Sequence, residues 1–274
     1  MPIYLDRHFI EGATRHAITN AHEHDLLVQD KHGVKFLTYW FDEERCTSFC
    51  LVDAPNKEAI QTAHDEAHGF VPHEIIEVDP GIVEAFLGRV RDPSPVDRSG
   101  NVEMDSAFRA IMFTDLKDST QMTTDLGDTK ALHLLHISNV LTRNALRAFR
   151  GTEVKHTGDG IMASFLSATD AVECAMAIQV AFHEHNILKP EHQLHLRIGL
   201  SAGEPIEEHG DLFGTAVQLA ARLCAHAEPN QILVAQIVQD ECSSKELPMS
   251  FLDEITPKGF KHAVRVYSVD WQKH

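Results

Sequence analysis

The chain has few cysteines and pairs none of them locally. Cys46, Cys50, Cys174, Cys224 and Cys242 form an odd set without a CxxC spacing, which argues against a disulfide framework and a metal finger and points to reduced thiols. Basic charge is also scarce. Lys and Arg number 24 against 41 Asp and Glu, for a net charge of −17. Such a surface repels phosphate backbones and anionic lipid, so neither nucleic acid nor a membrane is an expected partner. An anionic substrate would have to be held by local cations or metal ions. No apolar run approaches the about 18 residues of a membrane span. The N-terminal MPIYLDRHF lacks the basic and apolar regions of a secretion signal, so a cytoplasmic protein is expected.

What is present suffices for two domains: 274 residues, 43% of them hydrophobic, can bury two cores. Residues 1–79 read as a small α/β unit. PIYLDRHFI alternates like a half-buried strand, and a helix is expected over about 14–31. VKFLTYWFDE and TSFCLVDA form a hairpin, and a further helix runs from its Asn56 cap to a stop at Gly69 before the strand HEIIEV. Residues 80–106 hold the short helix GIVEAFLGRV and the linker RDPSPVDRSGN. A second unit, 107–274, opens with the strand FRAIMFTDL and a long helix to Phe149. The hairpin EVKHTGDGIMASF, a helix over about 168–186 and the strand LHLRIGLSAG follow. Both units thus read as βαββαβ, an α/β (α+β) chain of two ferredoxin-like domains, the second one elaborated. No residue-level repeat relates them.

Two aspartates stand where strands end: Asp115 in FTDLKDST and Asp159 in KHTGDG. Gly158 and Gly160 permit a tight turn that presents Asp159, and Ser119 and Thr120 follow Asp115 at a helix start whose free amides suit phosphate oxygens. Two hard carboxylates beside a helix N-terminus match a nucleoside triphosphate with two Mg²⁺ or Mn²⁺ ions. Each aspartate taken alone also fits a turn residue or a cap.

FTDLKDST, EVKHTGDGIMASF, LRIGLSAGEP, GDLFGTAVQLAARL and PKGFKHAVRVYSV together resemble the class III adenylyl and guanylyl cyclase catalytic domain across residues 107–270. The resemblance implies that Asp115, Asp159 and the Leu116 carbonyl bind metal, and that Lys155 and Asp211 select the base. It also implies that Gln218 and Arg222 stabilise the transition state, with Lys258 a candidate phosphate contact. Lysine can donate to N1 of adenine and a carboxylate can accept from its N6 amine, whereas guanine presents the reverse pattern, so ATP is the expected substrate. The implied activity is conversion of ATP to 3′,5′-cyclic AMP and pyrophosphate at sites shared between the subunits of a homodimer. Most such cyclases carry Asn where this chain has Gln218, so a catalytically weak or silent nucleotide-binding module is the alternative.

Histidine is dense in the first unit. His64 and His68 are one helical turn apart, Asp6 and His8 share a strand face, and Cys50 sits on the third strand. His8, Cys50, His64 and His68 would suit Ni²⁺, Zn²⁺ or Cu²⁺. The stretches YLDRHF, LTYWFDE and CLVDAPNKEAI resemble a small bacterial domain family described as nickel-binding. A regulatory metal site and a dimerisation module with merely satisfied histidines both fit this pattern.

Overall fold

In the computed structural model, which describes residues 1–92, 105–208 and 211–273 without the side chains of Glu207, Glu208, Asp211 and Lys273, the chain forms two units, Met1–Phe108 and Arg109–His274. The first contains β1 (Ile3–Phe9), α1 (Arg15–His32), β2 (Lys35–Asp42), β3 (Thr47–Asp53), α2 (Lys57–Ala67), β4 (Glu74–Glu77) and α3 (Pro80–Leu87). Side chains cap the first two helices: Thr14 accepts from the Ala17 amide and Asn56 from the Ala59 amide. The antiparallel sheet has the order β2-β3-β1-β4, that of a ferredoxin-like unit. Tyr4, Phe36, Val52, Ile60 and Ile75 fill its core.

Residues 80–106 are more than linker. Asp79 caps α3, Pro80 occupies its first turn, and Val83, Phe86 and Leu87 are buried. Beyond it, the Asp105 carbonyl accepts from the Phe41 amide, the Ser106 hydroxyl donates to Asp42 at 2.7 Å, and Arg45 lies over the Phe108 ring. These contacts extend the first unit to Phe108. Residues 93–101 of the expected linker lie outside the described residues.

The second unit begins with β5 (Arg109–Leu116), α4 (Ser119–Leu126), α5 (Asp128–Ala148), β6 (Thr152–His156), β7 (Ile161–Phe165), α6 (Ala168–Leu188) and β8 (Leu196–Gly203). It continues with β9 (Glu207–Glu208), β10 (Asp211–Leu212), α7 (Gly214–His226), β11 (Ile232–Ala235), α8 (Gln236–Glu241), β12 (Met249–Ile255) and β13 (Val264–Val269). The main sheet runs β12-β13-β11-β8-β5-β7-β6. Its last four strands repeat the ferredoxin-like order, and the C-terminal strands extend that sheet beyond β8. The helix expected to run unbroken to Phe149 is two helices, because Gly127 adopts φ 76° between Leu126 and Asp128. Among the described residues no helix is long and apolar enough to cross a membrane.

Candidate functional site

The second unit gathers its acidic groups where β5 ends. The Thr114 hydroxyl accepts from the Ile161 amide at 2.9 Å, and the Leu116 amide donates to the Asp159 carbonyl at 3.1 Å. These bonds sew the β6–β7 turn against β5 on either side of Asp115. A side chain at position 160 would forbid this, since a Cβ there would lie 1.8 Å from the Thr114 carbonyl oxygen. Ser119, the first residue of α4, donates to Asp159 Oδ2 at 2.6 Å. Asp118 makes no side-chain cap bond to that helix, which leaves its first-turn amides to other acceptors.

Arg197 on β8 was not anticipated from the sequence. It pairs in register with Asp115, donates to Asp115 Oδ2 from Nε at 3.0 Å and from a second guanidinium nitrogen, and reaches the Ala225 carbonyl at the end of α7. Burial disfavours its charge, but the bonds to Asp115 outweigh that and raise its pKa. The signal was there to read, because an arginine inside an apolar strand needs a partner, and the antiparallel strand ends in aspartate.

The other expected residues sit on α4, β6, β10, α7 and the β12–β13 connection. Thr120 is exposed on the first turn of α4, and Lys155 is exposed on edge strand β6, opposite Met162 after a β-bulge. Gln218 is half-buried and Arg222 exposed on α7, while Lys258 is exposed between β12 and β13. Asp211 pairs through its backbone with Glu208, and its side chain lies outside the described set. The structure therefore joins Asp115, the Leu116 backbone, Ser119 and Asp159, with Lys155 on β6, Gln218 and Arg222 on α7, and Lys258 between β12 and β13.

In the first unit the structure brings His8, Cys50, His64 and His68 together with two aspartates. Donor atoms of Asp6, His8, Cys50 and His64 lie within 4.8 Å of one another, as do those of Asp25, His64 and His68. His64 is held from both sides: its Nε2 donates to Asp6 Oδ2 and its Nδ1 to Asp25 Oδ1, each at 2.9 Å. Asp6 Oδ1 also accepts from His8 Nε2 and from the Cys50 amide, both at 3.1 Å. His68 Nδ1 accepts from the Phe70 amide, which directs its Nε2–H towards Asp25.

Burial pulls the His64 pKa down, but the Asp6 charge and the bonds His64 donates to both aspartates raise it to about 10. Burial raises the Asp6 and Asp25 carboxyls, and the surrounding imidazoles overcome it and hold both below the usual carboxylate range. Burial, followed by the Asp6 and Asp25 charges, pushes the Cys50 thiol well up. The His64 imidazolium offsets one of the two buried carboxylate charges. Asp25 escaped the sequence reading, and His22, one turn earlier on α1, counted there only as one of several histidines, because nothing in the chain marked which face of α1 meets α2.

Two family models match this chain. One, described as the adenylate and guanylate cyclase catalytic domain, matches residues 105–270, and the other, described as nickel responsive protein SCO4226-like, matches residues 4–78. A putative adenylate cyclase 3 of Rhizobium meliloti is 39% identical over 92 residues, covering 33% of this chain and 16% of its own length. An adenylate cyclase of Streptomyces coelicolor is 30% identical over 157 residues, covering 57% of this chain and 39% of its own. The chain thus spans well under half the length of either relative.

Among solved structures, an adenylate/guanylate cyclase/hydrolase from Silicibacter pomeroyi is 33% identical with a TM-score of 0.50, covering 59% of this chain and 95% of that one. The adenylyl cyclase CyaB from P. aeruginosa, at 20% identity and TM-score 0.52, shares the fold over 60% of this chain and 93% of its own. So does the GTP-bound guanylate cyclase domain of RhGC from Catenaria anguillulae, at 17% identity and TM-score 0.51, over 60% and 96%. Neighbours of both names share this fold, so the fold does not choose the base.

Proposed function

From the premise that this chain belongs to the adenylate and guanylate cyclase catalytic-domain family, we propose that it is an adenylate cyclase that converts ATP to 3′,5′-cyclic AMP and pyrophosphate as a homodimer. The observation that carries this reading is the convergence of Asp115, the Leu116 backbone and Asp159 at one sheet end, beside the uncapped start of α4. The donor set consists of hard oxygens, which fit Mg²⁺ or Mn²⁺. Two such ions, when bound, lower the pKa of the ribose 3′-hydroxyl and neutralise the triphosphate.

The chain's own residues do the rest. Asp115, Asp159 and the Leu116 carbonyl would hold those ions, while Ser119, Thr120 and the α4 amides cradle phosphate oxygens. Lys155 donates to adenine N1 and Asp211 accepts from N6. Arg222 meets the charge developing on the α-phosphate, and the Gln218 amide holds the ribose for attack. Lys258 adds a cation to the triphosphate. The 3′-oxygen bonds to the α-phosphorus, the bond to the bridging oxygen breaks, pyrophosphate leaves with that electron pair, and the hydroxyl proton goes to solvent. In keeping with the family resemblance, the complete site takes the aspartates from one protomer and the base-reading and Arg222 groups from its partner.

In the first unit, His8, Cys50, His64 and His68, with Asp6 and Asp25, would hold Ni²⁺ or a similar borderline cation that regulates the cyclase. Imidazole and thiolate select such ions over Mg²⁺. Buried His8 Nδ1, which has no hydrogen-bond partner, fits that role. The test is cyclic nucleotide formation from ATP and from GTP with Mn²⁺, with and without added Ni²⁺. Cyclic AMP from the native chain and none from Asp159→Ala supports the assignment. Nucleotide binding without cyclic product would instead make the chain a silent module, with Gln218 as the disabling change.

A further inference from the structure

His22 has no part in the cation sets described above, yet it shares a cavity wall with four of their residues. It lies on α1, 6% exposed, and lines with His8, Asp25, Cys50 and His68 a cavity of about 10 Å³, room for about one water-sized particle. Its Nε2 donates to Asp92 Oδ2 at 3.2 Å, which leaves Nδ1 as the lone-pair nitrogen of the neutral ring. That Nδ1 is sealed from solvent and has no hydrogen-bond partner, and the same is true of His8 Nδ1. A buried polar atom left unpaired is unfavourable. Two such nitrogens, on residues walling a cavity too small for an organic ligand, are the lone pairs that a borderline divalent cation takes up.

Asp92 ties this wall to the chain that runs on to the cyclase unit. Its amide donates to the Leu37 carbonyl at 3.0 Å, and the Arg89 guanidinium donates to Thr38 Oγ1 at 3.2 Å and to the Tyr39 carbonyl at 2.7 Å. On the far side of residues 93–104, the Phe41 amide donates to the Asp105 carbonyl. Both flanks of that segment are thus fastened along β2, the outer strand of the first sheet, and the His22–Asp92 bond runs from that edge to the cavity.

We propose that His22 Nδ1 is a ligand of the cation in the first unit and that Asp92, holding the opposite ring nitrogen, couples cation occupancy to the segment entering the cyclase unit. The inference rests on the cation reading given above. A carboxylate behind a ligating imidazole fixes the ring and strengthens its metal bond. Conversely, a bound cation fixes His22 and so holds Asp92 and the backbone fastened beside it.

The experiment uses the full chain stripped with chelator, with Ni²⁺ and Zn²⁺ as probes in titration calorimetry and in amide hydrogen exchange. Asp92→Asn is expected to weaken binding by about 10–100-fold, with the metal-free melting temperature unchanged. In the native chain the cation is expected to slow exchange of the Asp92 and Phe41 amides, and in His22→Gln to leave them as they were. Should His22→Gln fail to fold, Asp92→Asn still answers, because that side chain is 41% exposed. Equal affinity in Asp92→Asn, with exchange at those amides indifferent to the cation, overturns the coupling while the cation site stands. A native chain that binds neither ion overturns both.

Discussion

Arg197 on β8 lies directly across from Asp115 on β5, and its guanidinium occupies the Oδ2 of the carboxylate assigned to metal binding. An incoming dication therefore competes with a fixed monocation already in place. The pair is partly solvated, with side chains 24% and 29% exposed, so its strength falls in the range of about 0.2–1 kcal/mol.

Replacing Arg197 with Gln is expected to lower the Mn²⁺ concentration needed for half-maximal activity by a few-fold, the equivalent of that energy. Maximal turnover should drop at the same time, because Asp115 loses the neighbour that orients it. A metal titration of initial rates separates the two effects. An unchanged or higher Mn²⁺ requirement would show that Arg197 assists the ion.

The metal-free first unit should have a stability optimum on the acid side of neutrality. His64 is raised from 6.5 to about 10, so its contribution is complete below about pH 6.5 and disappears as pH rises through about 10. Asp6 and Asp25 are lowered from 3.8, so theirs is present above about pH 4 and lost on acidification. Thermal unfolding of the full chain in chelator, followed from pH 4 to 10, is expected to show the transition of this unit falling between pH 7 and 10. His64→Gln should flatten that limb. A native transition indifferent to alkali would contradict the buried imidazolium.

How legible all this was in the sequence depended on whether a pattern reports its own partner. Strand alternation and helix caps such as Thr14 and Asn56 are local, and the βαββαβ order of both units followed from them. Gly127 was read through as helix because a lone glycine lowers helix propensity only by about 1 kcal/mol, and its φ of 76° depends on how α4 and α5 pack. In the same way, Asp115 and Asp159 announced themselves at strand ends, whereas Arg197 acquires meaning only from the β5–β8 register. His8 and His64 were visible as types and spacings. Asp25 and His22 needed the α1–α2 contact, which no spacing within α1 encodes.

Exchanging the base-reading pair tests the adenine assignment. Lys155→Glu with Asp211→Cys removes the donor to N1 and the acceptor for N6. Lys155 is exposed on an edge strand, so the fold should tolerate its change. Preference for ATP over GTP, measured as a ratio of kcat/KM, is expected to fall by at least about tenfold, since discrimination by buried polar groups rests on the wrong base leaving them unpaired. A double variant that keeps the native ratio would move base selection to other residues.

A site shared between two protomers makes a quantitative prediction about mixed dimers. Asp159→Ala and Arg222→Ala should each be inactive alone, because every site in either homodimer lacks one essential group. Unfolded and refolded together in equal amounts, half of the dimers pair one variant with the other. In such a dimer, one site collects both lesions and the other collects neither. Half of the dimers with one of two sites intact amounts to about a quarter of native activity, as a closed two-fold interface requires. A site built within one protomer would leave the mixture as inactive as its parts, so recovery of cyclic AMP formation near that fraction distinguishes the shared site from a self-contained one. The same mixture made from Asp115→Ala and Asp159→Ala should stay silent, since both aspartates come from the same subunit and every site lacks one of them.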